Sequence, residues 1–377
     1  MKIGDIDKNL SVSANIPFDD VVWINAKESP CEVRGLAVHE VGKPFLRMPE
    51  DKAKAVSDSV AWLNRHTAGG RIRFATNSPY IAIKAVMPDN ETMAHITMLG
   101  QSGFDLYAVD GGRETYSGSF IPGNRSHGYS SWKPTDSVMR TYVINMQNSA
   151  SIKAFAEYSV MRTYVINMPL YDPVEEVYIG LSSSAEISSP ESYKYEKPVL
   201  YYGSSITQGG CASRPGNSYQ AMISRTLSCD YINLGFSGSA RGEDAIAEYL
   251  ASLDPSVFVC DYDHNAPSPE HLEKTHYPLY KIFRKAHPNT PIIFVSKPDF
   301  NPKSKDDIRR REVIIETFNL AVNSGDKNVY FVDGSHLFDG EMRDSCTVDG
   351  CHPNDLGFYR MARGIGEAVK TALIKNK

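Results

Sequence analysis

The stretch Val199-Leu200-Tyr201-Tyr202-Gly203-Ser204-Ser205-Ile206-Thr207-Gln208-Gly209-Gly210 decides the fold of the second half of the chain. An apolar run ends here at a glycine and two serines, and a segment with helical character begins near Ser218. This pattern is typical of a buried parallel strand that reaches the rim of an α/β sheet. Catalytic groups gather at such carboxyl ends of strands. We therefore expect Ser205 to be a nucleophile; the alternative is a turn that only joins strand to helix.

The chain from residue 196 to residue 377 alternates apolar segments with helical ones. Such alternation predicts a parallel, doubly wound sheet with helices on both faces, and thus an α/β domain over 196–377. The predicted strands are 199–202, 231–236, 257–261, 291–296 and 329–333, and the predicted helices lie near 218–228, 242–252, 269–286, 305–324 and 354–374.

Residues 1–195 lack this alternation and carry short segments of strand character separated by turn residues. We predict an all-β domain here, a β-sandwich or jelly roll, with one short helix near 57–65. A serine-rich linker is expected over 182–192. The clearest predicted strands are 70–75, 80–86, 104–109 and 176–181, and Asp110-Gly111-Gly112 predicts a hairpin after the third of them.

One segment of the first half is duplicated: Ser137–Met146 recurs identically as Ser159–Met168. A solenoid would show three or more degenerate copies, so we interpret the pair as a local duplication. The second copy runs directly into Pro169, and we expect it to form the core strand. The first copy is then expected to be an inserted loop or an edge strand. We find no functional interpretation of the repeat.

Composition excludes some function classes. The 377 residues are 41% hydrophobic and 23% charged, which is ordinary for a globular protein with a sizeable core. A net charge of −5 argues against a nucleic-acid-binding surface. No apolar stretch is long enough to predict a membrane span. The segment Met1–Asp7 lacks a signal-peptide core, so we expect a cytoplasmic protein, or a periplasmic or secreted one if a signal peptide has been removed.

The six cysteines are too few for a disulfide scaffold in a chain of this length. They show no C-x-x-C spacing, which argues against structural zinc. A single bridge between Cys211 and Cys351, or between Cys346 and Cys351, stays open at this stage. We predict no metal and no cofactor, because the chemistry proposed below needs neither and no H-E-x-x-H cluster is present.

The loop before the last predicted helix contains Asp349 and His352, three residues apart and followed by Pro353. In a turn, this spacing can place a carboxylate against one imidazole nitrogen and leave the other nitrogen free to take a proton from a serine. A serine hydroxyl needs such a base, and the base needs a group that orients it. We therefore predict a Ser205, His352, Asp349 triad; the alternative is an aspartate that caps a turn and a surface histidine.

Acyl transfer also needs hydrogen-bond donors for the oxyanion of the tetrahedral intermediate. The candidates are the backbone N–H groups of Ser205 and Gly238 and the side-chain amide of Asn265. Gly238 could instead be a loop glycine with positive φ, and Asn265 an Asx turn. His264 and Lys297 are candidates for substrate binding, and so is Asp299, which also follows the fourth predicted strand.

These blocks, in this order, resemble the SGNH (GDSL-type) hydrolase family of esterases and acyl hydrolases. The resemblance covers roughly residues 197–377 and implies a flavodoxin-like α/β/α domain with Ser205 as nucleophile, Gly238 and Asn265 in the oxyanion hole, and the Asp-x-x-His pair described above. Ser204 departs from the family pattern, because an aspartate usually occupies this position. The third block departs as well, since Asp263 stands where a glycine is usual.

The first half contains Gly103-Phe104-Asp105-Leu106-Tyr107, which resembles the Gly-x-Asp-Leu-Tyr signature of a β-rich domain found directly before SGNH domains in bacterial proteins. We expect Asp105 and Tyr107 to be structural rather than catalytic. The resemblances imply a bacterial serine esterase for short acyl esters, with acetyl groups on carbohydrate as the first expectation and a small-molecule or glycan ester as partner. The alternatives are a carbohydrate-binding protein without catalysis, a thioesterase or a lysophospholipase; the oligomeric state stays open.

Overall fold

A computed structural model describes residues 18–88, 92–121, 160–298 and 304–375 in full, and the backbone of 138–145. The second half forms a parallel sheet of the strands β11 to β15, in the order β12-β11-β13-β14-β15. Counted within this half the order is 2-1-3-4-5, the flavodoxin-like arrangement. The strands are β11 (Tyr195–Gly203), β12 (Cys229–Gly235), β13 (Val257–Asp261), β14 (Ile292–Val295) and β15 (Val329–Val332).

Helices cover both faces of this sheet. Alternate residues of β11 point to opposite sides, so Val199 and Tyr201 join one apolar core while Leu200 and Tyr202 join the other. Helices α5 and α9 pack on the first face, and α6, α7 and α8 pack on the second. The predicted α/β/α domain is confirmed. Its helices are α5 (Tyr219–Leu227), α6 (Asp244–Ser252), α7 (Pro269–Ala286), α8 (Lys305–Asn323) and α9 (Asp355–Lys375), and a short α4 (Ser205–Gln208) follows β11.

The first half forms two antiparallel sheets that pack face to face around one core, as predicted for a β-sandwich. One sheet has the order β1-β9-β4-β7, and the other runs β10-β3-β8-β5-β6 with β2 also paired to β3. Asp110 pairs with Arg113 in the predicted hairpin. The strands are β1 (Val21–Asn25), β2 (Glu32–Arg34), β3 (Arg71–Thr76), β4 (Tyr80–Met87), β5 (Phe104–Asp110), β6 (Arg113–Phe120), β7 (Val138–Asn145), β8 (Arg162–Asn167), β9 (Glu176–Ser182) and β10 (Ile187–Ser188).

The two copies of the duplicated segment become strands in different sheets. The second copy forms β8, which lies between β3 and β5, whereas the first forms β7 at the edge of the other sheet, paired only with β4 among the described strands. Both positions agree with the prediction. The shared sequence can form a strand at the centre or at the edge of a sheet. The second copy continues directly into Pro169, and this connection places it at the centre.

The segment predicted as a linker is partly ordered, since β10 pairs with β3. Among its described residues, the first half also has three short helices: α1 (Glu50–Val56), α2 (Asp58–Leu63) and α3 (Met98–Ser102). Only α2 was expected, and Ser57 caps its first turn. The six cysteines, all within the described residues, are not joined in disulfides, so neither bridge considered above is present.

Buried polar contacts join the two halves. Asp105 is fully buried and its carboxylate accepts hydrogen bonds from Asn167 at 2.8 Å, from Arg214 at 2.9 Å and from the N–H of Gly216 at 2.9 Å. Arg71 likewise donates to Asp230 and to the carbonyl of Tyr231. The contacts of Asp105 fit the structural role expected for it, because they tie β5 and β8 to the chain that leads into α5.

Candidate active site

Ser205 begins α4 directly after β11, at the carboxyl edge of the sheet. Gly203 permits the sharp exit, because a Cβ atom there would lie 2.1 Å from the carbonyl oxygen of Asp261 on β13. Ser204 caps the helix by accepting a hydrogen bond from the N–H of Ile206 at 3.2 Å. Ser205 therefore sits between β11 and β13, the point where the strand order reverses and where ligands bind in open α/β sheets.

The side chains of Ser205, His352 and Asp349 form one hydrogen-bonded row. Ser205 Oγ lies 2.9 Å from His352 Nε2, and His352 Nδ1 lies 2.7 Å from Asp349 Oδ2. The other oxygen of Asp349 accepts from the backbone N–H groups of Cys351 at 2.9 Å and His352 at 2.7 Å. This geometry favours the tautomer in which Nδ1–H donates to the carboxylate and Nε2 accepts from the serine hydroxyl.

Asp349 is held in its charged form. Partial burial raises the pKa of this carboxyl, but hydrogen bonds from the backbone and side chain of His352 and from the N–H of Cys351 outweigh that effect and lower the pKa to about 2. The carboxylate is therefore ionised at neutral pH. An ionised partner can both orient an imidazole and stabilise its protonated form.

The three predicted oxyanion donors follow three neighbouring strands: Ser205 follows β11, Gly238 follows β12 and Asn265 follows β13. Gly238 has φ +66°, and a Cβ atom there would meet nothing within 4 Å, so its surroundings are open. The N–H groups of Ser205 and Gly238 donate to no described residue. The amide of Asn265 would donate through Nδ2–H, and its Oδ1 atom is buried without a partner in the described part of the chain. The two backbone N–H groups remain available for a ligand.

Two family models match the chain. Residues 196–370 match the GDSL-like lipase/acylhydrolase family, and residues 21–187 match the GxDLY domain at the N-terminus of SGNH-type esterases. A solved structure from Bacteroides ovatus, assigned to the GDSL-like lipases, is 32% identical in sequence, with a TM-score of 0.79, 94% of this chain covered and 98% of that one. The chain belongs to the GDSL-like lipase/acylhydrolase family. It is therefore a carboxylic ester hydrolase.

More distant structures share the fold of this esterase over nearly the whole chain. A salicylyl-acyltransferase from a tetracycline biosynthetic pathway is 16% identical, with a TM-score of 0.74 and coverage of 94% of this chain and 99% of that one. An acetyl xylan esterase from the rumen bacterium Butyrivibrio proteoclasticus is 13% identical, with a TM-score of 0.57 and coverage of 94% and 98%. The search of curated proteins gave no match. No described helix of the esterase combines the length and hydrophobicity that a membrane span needs.

A second Ser–His–Asp row lies beside the first. His264 Nε2 is 3.0 Å from Ser204 Oγ, and His264 Nδ1 is 2.8 Å from Asp263 Oδ1. Burial raises the pKa of Asp263, but the hydrogen bonds from the side chain and N–H of His264 and from the N–H of Lys297 outweigh it, so the pKa is lowered overall. Because Ser204 Oγ also accepts from Ile206, the row ties the start of α4 to the turn Asp263–Asn265. No pattern in the sequence predicted this row.

The three candidates for substrate binding differ in placement. Both ring nitrogens of His264 are engaged in the second row. Lys297 supports Asp263 through its backbone N–H at 2.9 Å, and its ammonium lies 3.9 Å from the carboxylate of Asp307. Asp299 lies outside the described residues. Contact of His264 or Lys297 with substrate stays a prediction.

Side chains of the β-sandwich half also reach the turn that carries Ser205. Tyr171 donates its hydroxyl to the carbonyl of Ser205 at 3.1 Å. Gln208, at the end of α4, donates to His66 Nδ1 at 3.2 Å and to the carbonyl of Leu170 at 3.1 Å, while its own oxygen accepts from the N–H of Ser237 at 3.1 Å. Burial lowers the pKa of His66 to about 3, so the ring is neutral and can accept. These contacts fix α4 and the loop that carries Gly238.

Proposed function

We propose that this enzyme removes short acyl groups, acetyl above all, from carbohydrate esters, with Ser205 as nucleophile. The observation that carries the proposal is the continuous row from Ser205 Oγ through His352 to Asp349, with contacts of 2.9 and 2.7 Å. The same row argues against a carbohydrate-binding protein without catalysis, because a binding protein does not need a serine, a histidine and an aspartate in one hydrogen-bonded row.

In the proposed mechanism, His352 takes the hydroxyl proton of Ser205 as the serine oxygen attacks the ester carbonyl. Asp349 stabilises the imidazolium that forms, and it stays ionised throughout. The imidazolium then gives its proton to the leaving alcohol. A water molecule, deprotonated by the same imidazole, attacks the acyl-enzyme; the bond from the acyl carbon to Ser205 Oγ then breaks, the imidazolium returns its proton to Oγ, and the carboxylic acid leaves.

The oxyanion would be held by the N–H groups of Ser205 and Gly238 and by the amide of Asn265. The N–H groups are unengaged by described residues, and Asn265 sits on a turn fixed from both sides. Arg310 donates to the carbonyls of Asp263 and Ala266 at 2.7 Å each. A donor fixed before substrate arrives stabilises the transition state without reorganisation, which is the basis of this type of catalysis.

The surroundings of Ser205 support a preference for a short acyl group. Ser205 is only 8% exposed, and the segments beside it carry polar side chains such as Ser237, Ser239 and His264. A nearly buried hydroxyl among polar groups suits a small acyl group on a polar alcohol better than a long lipid chain. The shared architecture with an acetyl xylan esterase supports carbohydrate as the alcohol, on grounds of fold analogy alone.

The test compares wild type with Ser205→Ala on nitrophenyl esters from acetyl to dodecanoyl and on acetylated xylo-oligosaccharides followed by mass spectrometry. We expect Ser205→Ala to lower kcat by about 10⁴-fold or more. Ser252→Ala serves as control, since the hydroxyl of Ser252 bonds only to the carbonyl of Tyr249 among described residues, at the end of α6. Equal rates in wild type and Ser205→Ala would contradict the mechanism, and fastest turnover of the longest ester would favour a lysophospholipase instead.

A further inference from the structure

A group of potential metal ligands lies over the base of the proposed triad. A ring nitrogen of His95, the Sγ atom of Cys211 and a ring nitrogen of His352 all lie within 4.8 Å of one another. His95 comes from the β-sandwich half, Cys211 from the loop after α4 and His352 from the loop before α9. The rings of His95 and His352 are 5.8 Å apart between centroids.

The three segments are held together by contacts outside this group. The backbone at Gly210 packs on the imidazole of His352, since a Cβ atom there would lie 3.6 Å from His352 Cδ2. Thr97 donates to the carbonyl of Ser213 at 2.7 Å and so fixes the loop of His95 beside that of Cys211. His95 is exposed, whereas Cys211 is only 5% exposed.

Two imidazoles and one thiol are the ligand types that zinc binds most often in proteins. In tetrahedral zinc sites the ligand atoms lie roughly 3.5 Å apart, so the three ligand atoms would have to approach one another by about 1 Å to close on an ion. His352 already has the outer partner that zinc-bound histidines usually have, because Asp349 accepts from Nδ1; the ring would then bind the ion through Nε2 in place of its hydrogen bond to Ser205 Oγ. The fourth position would be open to water.

We infer that His95, Cys211 and His352 form an inhibitory site for Zn²⁺. The ion takes the lone pair of His352 Nε2, the thiol proton of Cys211 passes to solvent, and the hydroxyl of Ser205 loses its acceptor. Bound Zn²⁺ therefore inhibits catalysis, and the prediction that catalysis needs no metal is unchanged. Metal binding stands independently of the proposed function, and only its inhibitory effect rests on that function.

The first experiment measures binding without catalysis. Full-length protein, reduced with a non-chelating phosphine, competes with a chromophoric chelator for Zn²⁺, and Co²⁺ is added in parallel to detect thiolate-to-cobalt charge transfer. We expect wild type to bind one ion per chain and to show a thiolate-to-cobalt band. The affinity for the ion should fall at least about tenfold in Cys211→Ser, Cys211→Ala and His95→Ala, and the band should be absent from the two Cys211 variants. Cys229→Ser is the control, because Cys229 is a buried thiol at the opposite end of the sheet. Equal affinity in wild type and in these three variants would overturn the site.

The second experiment measures inhibition of nitrophenyl acetate hydrolysis, with each variant compared with its own metal-free rate. Zn²⁺ is expected to inhibit wild type and Cys229→Ser reversibly. For Cys211→Ala and His95→Ala, half-maximal inhibition should require a Zn²⁺ concentration at least about tenfold higher. Mg²⁺ at the same concentration should not inhibit, since it prefers oxygen ligands. Inhibition of equal strength in all variants would overturn the site. Binding that requires Cys211 and His95 but leaves hydrolysis unchanged would support the metal site and contradict the role of His352.

Discussion

Adjacent serines begin two Ser–His–Asp rows, and only one of them can supply the nucleophile. We predict that Ser205→Ala abolishes hydrolysis whereas Ser204→Ala keeps most of it. Ser204 is 0% exposed and Ser205 is 8% exposed, so only Ser205 Oγ can meet a substrate. Ser204 Oγ is also occupied, because it accepts from the N–H of Ile206 at 3.2 Å while its own proton points to His264 at 3.0 Å.

The expected losses of kcat in Ser205→Ala and Ser204→Ala differ by orders of magnitude. Loss of a triad member costs about 10⁴- to 10⁶-fold in kcat. Loss of Ser204 Oγ removes a helix cap, at about 1 kcal/mol, and leaves one nitrogen of His264 without its partner, at about 1–3 kcal/mol. These costs fall on the free energy of unfolding. We expect kcat of Ser204→Ala to fall by about tenfold at most, through slight displacement of Ser205 and Asn265.

The assay combines steady-state hydrolysis of nitrophenyl acetate with labelling by a fluorophosphonate and mapping of the modified residue by mass spectrometry. Thermal unfolding confirms that each variant is folded. Ser204→Asp is the matched control, because aspartate also caps a helix and is the residue typical of the family at this position. A label on Ser204, or a folded Ser204→Ala as inactive as Ser205→Ala, would refute the assignment and make the buried row the catalytic one.

Three further predictions concern stability, pH and the oxyanion. Asp105→Ala should lower the free energy of unfolding by about 3–5 kcal/mol in urea titrations, because Arg214 loses its buried partner; Asp110→Ala, at an exposed strand end, should change it little. His276 is buried, its ring nitrogens have no partner among described residues, and burial lowers its pKa to about 4. Because the unfolded histidine titrates near pH 6.5, the folded state loses stability as the pH falls, by about 2 kcal/mol at pH 5. His276→Phe should remove this loss. If the free energy of unfolding of His276→Phe, from urea titrations, still falls between neutral pH and about pH 5 as much as that of wild type, the reasoning is contradicted. Asn265→Ala should lower kcat by about 10²–10³-fold with little change in KM; a change confined to KM would remove Asn265 from the proposed oxyanion hole.

Much of the fold was predictable because apolar residues recur with the period of a strand or a helix in long, buried elements. The apolar run at Val257–Asp261 and the amphipathic pattern of Pro269–Ala286 mark β13 and α7 with their observed bounds. The short helix Met98–Ser102 was not predictable, since its buried residues are Gly100, Gln101 and Ser102 and show no apolar period. It is stabilised by tertiary contact: a Cβ atom at Gly100 would lie 2.1 Å from the carbonyl of Ala212 in the other half.

The proposed triad could be predicted because each member lies in a local pattern. Ser205 ends a strand, and Asp349 and His352 share one turn, so only one long-range contact had to be assumed. The row from Ser204 through His264 could not be predicted in the same way. It joins the loops after β11 and β13, and their relative placement depends on the strand order and register, which sequence alone does not determine.

The β-sandwich half contributes hydrogen bonds to the turn that carries Ser205. The polar atoms of Gln208 are buried, and an unmade hydrogen bond in such a place costs about 1–3 kcal/mol. Two of the acceptors of Gln208, His66 and the carbonyl of Leu170, come from the first half, as does the hydroxyl of Tyr171 that binds the carbonyl of Ser205. The turn that carries Ser205 is therefore stabilised by hydrogen bonds between the two halves. For this reason we infer that the position of Ser205 depends on both halves being folded and docked.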